Sequence, residues 1–143
     1  MTINNILCPT DFSDTANKAL TYAAEMALKY DATLHVVSVI NEIHGFDSFQ
    51  VLAITPTEIH EHMLKITQEK LEQLTADIPP SIPRHTAVFE GHPPTEITRA
   101  AVEFDCDMIV IASHGRTGLE HILIGSVAEA VTRHAHCPVL IVK

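Results

Sequence analysis

Apolar residues along this chain alternate between short continuous runs and longer stretches with a 3.6-residue rhythm. Ile3 to Cys8 is the first run, ends at Pro9-Thr10-Asp11 and predicts strand one. Helix one follows from about Asp14, with Ser13 placed to cap it and Ala16, Ala19, Leu20, Ala23, Ala24, Ala27 and Leu28 as its apolar stripe. Thr33 to Ile40 is nearly continuously apolar, as a parallel strand covered on both faces should be. The pattern dissolves from Asn41 to Thr55, a connection long enough to suggest a functional loop. Thr55-Pro56-Thr57-Glu58 then combines capping-box spacing with proline at the first helical position, so helix two should run to about Ala76. Pro79, Pro80 and Pro83 break the chain, and Arg84 to Phe89 reads as strand three. Helix three is expected over about Thr95 to Phe104, with Ile97, Ala100, Ala101 and Phe104 inward, and strand four over Met108 to Ala112. The last helix spans about Ser126 to Ala135, and Val139 to Val142 is strand five.

Five strands joined by four crossovers define an α/β chain with a mostly parallel sheet. A length of 143 residues with 46% hydrophobic content fits one domain, 1–143. The longest apolar runs fall far short of the roughly 20 residues that cross a bilayer, and no basic stretch precedes the first of them. No membrane span or secretory leader is expected, which implies a cytoplasmic protein. Eighteen acidic against nine basic residues give a formal charge of −9, with the cations scattered singly, so a nucleic-acid partner is not expected. Local amides can still hold a phosphate on such a chain.

Cys8, Cys106 and Cys137 are too few and too scattered for a disulfide framework. Cys8 and Cys137 are expected to fill core space, and Cys106 to be the more exposed. His60-x-His62 and His134-x-His136-Cys137 have the wrong spacing for paired ligands on one helix face, so no dedicated metal site is expected.

Candidate chemistry concentrates after strand four. Ala112-Ser113-His114-Gly115 is a glycine-bearing turn, followed nine residues later by Gly125-Ser126 at a helix start, an arrangement that presents backbone N–H groups to an anion. In doubly wound sheets the turns after strands one and four tend to meet where the strand order reverses, which would bring Asp11 to this loop. Each element also has a plainer reading. Asp11 can cap the turn into helix one, Gly115 and Gly118 can be turn glycines, Ser126 can be an N-cap, Arg116 a solvated cation, and His114 a residue packed beneath the loop.

The segments Pro9-Thr10-Asp11-Phe12-Ser13, Gly91-x-Pro93, Ser113-His114-Gly115-Arg116-Thr117-Gly118, Gly125-Ser126-Val127 and His136-Cys137-Pro138-Val139-Leu140-Ile141-Val142 together resemble the universal stress protein family, in its single-domain form. The resemblance implies an open five-stranded parallel sheet of order 3-2-1-4-5 with helices on both faces, Rossmann-like and of the adenine-nucleotide alpha-hydrolase-like kind. In one branch it implies ATP bound through Gly-x2-Gly-x9-Gly-Ser/Thr. Here the first glycine is Ala112: tolerable if the position needs only ordinary backbone, not if the ligand passes within contact distance. Carried over by position, Asp11 would lie at the adenine edge, Val39 beside the base, and Ile111 and Ala112 beside the ribose. Gly115, Arg116, Gly125, Ser126 and Val127 would face the phosphates. Pro9, Thr10, His114 and Gly118 complete the nucleotide-binding set, with Mg or Mn near Ser126 if the nucleotide brings one.

No Gly-x-Ser-x-Gly elbow and no P-loop signature is present, and only His114 or His121 could serve as a base near Gly125. The expectation is therefore an ATP-, ADP- or AMP-binding switch in the stress response, with a nucleotide-free interaction module or a slow ATPase as alternatives. Strand five is an almost uncharged sheet edge, and the resemblance implies that Val139, Leu140, Ile141 and Val142 pair with a second copy in a homodimer.

Overall fold

The structure is a computed structural model that describes residues 2–41, 55–115 and 124–143. In chain order the elements are β1 (Asn5–Pro9), α1 (Asp14–Tyr30), β2 (Thr33–Ile40), α2 (Pro56–Thr75), β3 (Arg84–Glu90), α3 (Pro93–Glu103), β4 (Met108–Ala112), α4 (Ser126–His134) and β5 (Val139–Val142). All strands pair in parallel, in the order β3-β2-β1-β4-β5. The order reverses between β1 and β4, and their carboxyl ends therefore open onto a shared crevice.

Strand alternation sorts the core into two layers. Ile6, Cys8, Leu34, Val36 and Val110 face the alanine stripe of α1 and Leu71 of α2. Leu7, Val37, Ile109 and Ile111 face Ile97, Ala100 and Ala101 of α3 and Val131 of α4. Small alanines let α1 sit close on the sheet. Its stripe is narrower than expected, because Ala24 is only half-buried and Leu28, at 58% exposure, lies past the edge of the contact.

The helix starts follow their caps. Ser13 Oγ accepts from Ala16 N at 3.2 Å, and Thr55 and Glu58 form the reciprocal capping box of α2. Helix three begins two residues earlier than expected, at Pro93. Both prolines occupy the first turn, where a missing N–H costs nothing. Gly91, at φ +134°, supplies the turn from β3 into that helix.

The expected exposure of Cys106 is wrong: it is 3% exposed, and Cys137 is the more open of the two. Asp105 adopts φ 49° after α3, so Asp105 N reaches Val102 O at 3.1 Å and Cys106 N reaches Ala101 O at 2.8 Å. This helix-ending motif places an apolar residue against the last turn. Cys106 fills that position, and burial pushes its thiol up to about 12.

His35, in β2, is buried and stacked on Phe104 at 4.8 Å, with His85 at 5.9 Å. Its Nε2 donates to Asn5 Oδ1 at 3.1 Å, and Nδ1 is sealed without a partner. Burial, and then the neighbouring His85, hold its pKa below the ordinary 6.5. The unfolded chain thus binds this proton more readily. Stability is complete above about pH 6.5 and falls as pH drops through the lower native value. The urea midpoint should fall more between pH 8 and pH 5 in the wild type than in His35→Phe. Equal pH dependence would remove His35 from the account.

Candidate functional site

A cleft of about 560 Å³ opens at the carboxyl ends of β1, β2 and β4. Pro9, Thr10 and Asp11 reach it from the end of β1, Val39 from β2, and Ile111, Ala112, His114 and Gly115 from β4 and its turn. Gly125, Ser126 and Val127 close it from the start of α4. The sequence-expected residues that fall among the described ones are therefore brought together. Arg116 and Gly118 lie outside the described residues, as does 42–54, the bulk of the long connection.

The β1–α1 turn is rigidly tied. Thr10 N donates to Val37 O at 2.8 Å and Phe12 N to Thr10 Oγ1 at 3.0 Å. Asp11 Oδ1 accepts from Ser13 N at 3.0 Å and from Ser13 Oγ at 2.6 Å. Phe12 is held at φ 65°, a left-handed conformation that a bulky residue adopts only when its surroundings impose it. The capping role of Asp11 is thus real and occupies one carboxylate oxygen. The other faces Gly115, where an added Cβ would overlap Oδ2. Glycine at 115 lets the β1 and β4 turns approach.

Ser113 N donates to Val142 O and Gly125 N to Ser113 O, each at 2.7 Å. The Gly125 N–H is consequently spent inside the protein, contrary to its expected role as a phosphate donor. Gly125, not Ser126, is the N-cap of α4, and no side chain caps the helix. Its φ of −72° suits any residue. The need for glycine is spatial, since an added Cβ would meet Ser113 O at 3.0 Å and His114 Cα at 3.6 Å. Beyond it, Ser126, Val127 and Ala128 present amides that no group among the described residues satisfies. These three residues line the cleft, at the positive end of the α4 dipole.

Ala112 ends β4 opposite Val142 and is not among the residues with positive φ. It belongs, with Cys8 and Ala16, to the core layer under α1. Ordinary strand backbone therefore accounts for alanine at this position. Ser113 is buried, and its Oγ shares a hydrogen bond of 2.9 Å with His114 Nδ1, which fixes the imidazole at the cleft wall.

Sequence reasoning missed Phe12, Ser38, Ile40, Met63, Thr67, Pro93 and Ile97, which also line the cleft. Met63 and Thr67 sit one turn apart on a largely polar helix, where a cleft-facing side looks like a solvent-facing one. Ser38 was legible in principle, as a lone small hydroxyl inside the apolar run Val36–Ile40.

The sequence profile of the Universal stress protein family matches residues 2–143. Universal stress protein MJ0531 of Methanocaldococcus jannaschii is 35% identical, over 96% of this chain and 81% of its own length. Universal stress protein MJ0577 of the same organism is 36% identical by sequence, over 96% of this chain and 93% of its own. Its solved structure superposes with a TM-score of 0.85, covering 100% of this chain and 97% of that one at 28% identity. A universal stress protein from Archaeoglobus fulgidus, solved in complex with dAMP, superposes with a TM-score of 0.69 at 26% identity, covering 100% of each chain.

Proposed function

Because this chain belongs to the universal stress protein family, we propose that its cleft binds an adenine nucleotide, ATP or AMP, and that occupancy switches a homodimer in the stress response. The observation that carries this reading is the set of amides on Ser126, Val127 and Ala128 that no group among the described residues satisfies, lining a cleft with Val39, Ile40, Met63 and Ile111. Three N–H groups at a helix N-terminus suit a phosphate. Val39, Ile40, Met63 and Ile111 suit a base and sugar. Asp11 lines the cleft on the β1 side, where a carboxylate suits a sugar hydroxyl or an exocyclic amine. A Mg or Mn ion carried by the nucleotide would find the Ser126 hydroxyl beside the phosphates. The Archaeoglobus fulgidus universal stress protein solved in complex with dAMP supports this reading.

The chain is proposed to act as one domain, 1–143, in the cytoplasm; no helix among the described residues is long and apolar enough to cross a membrane. Dimerisation through β5 follows from its edge position, where Leu140 remains 37% exposed. Freshly purified protein should release adenine nucleotide on denaturation and sediment as a dimer at micromolar concentration. A supernatant free of nucleotide would favour a purely interacting module, and a clean monomer would remove the β5 interface.

A further inference from the structure

One polar side chain of the cleft has no partner among the described residues. Ser38 is 5% exposed and lines the cleft, and among the described residues its hydroxyl makes no hydrogen bond. Its oxygen is not among the buried atoms sealed away without a partner, so it opens onto the cleft and not into the core. A hydroxyl taken from bulk water without a partner is costly. Val36, Val37 and Val39 fill the adjacent positions of β2, and nothing in the strand itself calls for serine there.

The sheet order decides which part of a ligand reaches this hydroxyl. β1 lies between β2 and β4, and two strand spacings amount to about 10 Å. A nucleotide with its phosphates on the α4 amides spans that distance and lands its base on β2. By strand alternation Ser38 shares the face of Leu34 and Val36, the layer covered by α1 and α2, and from that side Phe12, Ala16, Met63 and Thr67 also line the cleft. Thr67 spends its hydroxyl proton on Met63 O at 2.8 Å. The titratable groups lining the cleft among the described residues, Asp11 and His114, sit on the β1 and β4 turns. This end of the cleft therefore selects a flat, uncharged group with a hydrogen-bonding edge.

We propose that Ser38 is a specificity-determining residue whose hydroxyl accepts from the exocyclic amine of the purine. The proposal rests on the nucleotide reading of the cleft. It is tested with the full chain and Ser38→Ala, titrated with ATP, adenosine, inorganic tripolyphosphate and purine riboside triphosphate, which lacks the amine. Ser38→Ala should weaken ATP and adenosine alike, by about three- to tenfold, and leave tripolyphosphate unchanged. Purine riboside triphosphate should bind both proteins within about twofold, because the group that Ser38 reads is already gone. Unchanged ATP affinity, or tripolyphosphate and purine riboside triphosphate weakened as much as ATP, would overturn the role of Ser38 while the nucleotide reading stands. A wild type that binds none of these ligands would overturn both.

Discussion

Gly125→Val is expected to lose nucleotide affinity by about a hundredfold or more, and to lose about 1–3 kcal/mol of stability through overpacking. Both effects have one origin. A Cβ at this position stands 3.0 Å from Ser113 O, and the two valine methyls add further bulk at a backbone junction. Relief requires α4 to move away from the β4 turn, which breaks the 2.7 Å bond from Gly125 N to Ser113 O. The amides of Ser126, Val127 and Ala128 then no longer converge. Displacing two charge-assisted hydrogen bonds at about 1.5 kcal/mol each costs about 3 kcal/mol, or roughly 150-fold. Urea denaturation and ATP titration of the same preparation separate the two losses. A folded variant with wild-type affinity would show that α4 does not hold the phosphates.

Leu71→Ala should be the most destabilising single truncation in α2, at about 2–5 kcal/mol. Leu71 is fully buried, and the buried residues of this 20-residue helix are Leu71 and Thr75. The rest of α2 is half-buried or exposed, so its docking on β2 and β3 rests on a narrow contact. For a chain of this size, a loss of about 3 kcal/mol lowers the thermal midpoint by roughly 10 °C. Because Met63 and Thr67 ride on the same helix into the cleft wall, a weaker base affinity should accompany the loss. A midpoint within about 2 °C of the wild type, against that expectation, would mean that α2 is anchored elsewhere.

Much of this architecture is legible in the residues because its signals are local. The apolar run Thr33–Ile40 is a parallel strand covered on both faces, and Thr55-Pro56-Thr57-Glu58 is a helix start with its capping bonds in place. The convergence of Asp11 with Gly115 was also legible, since strand order alone brings the two turns together. What escaped depends on three-dimensional packing. Cys106 looked exposed because its burial arises from the left-handed Asp105, a backbone event with no clear composition signal. Ser126 looked like a cap because serine usually is one, yet the extended residue before the helix is Gly125. Gly125 looked like a phosphate donor until its N–H proved to be held by Ser113 O. Ser38 was absorbed into a core strand because a single hydroxyl does not disturb apolar periodicity.

Ala112 stands where the family pattern has its first glycine. Glycine is not needed there for conformation, because the residue is an ordinary strand terminus in the core layer under α1. Only close passage of the ligand could still require it. Direct titration decides that question together with the central claim. Calorimetry of ATP against nucleotide-free protein, with and without magnesium, should show saturable binding. The absence of heat at millimolar ATP in both conditions would contradict the account.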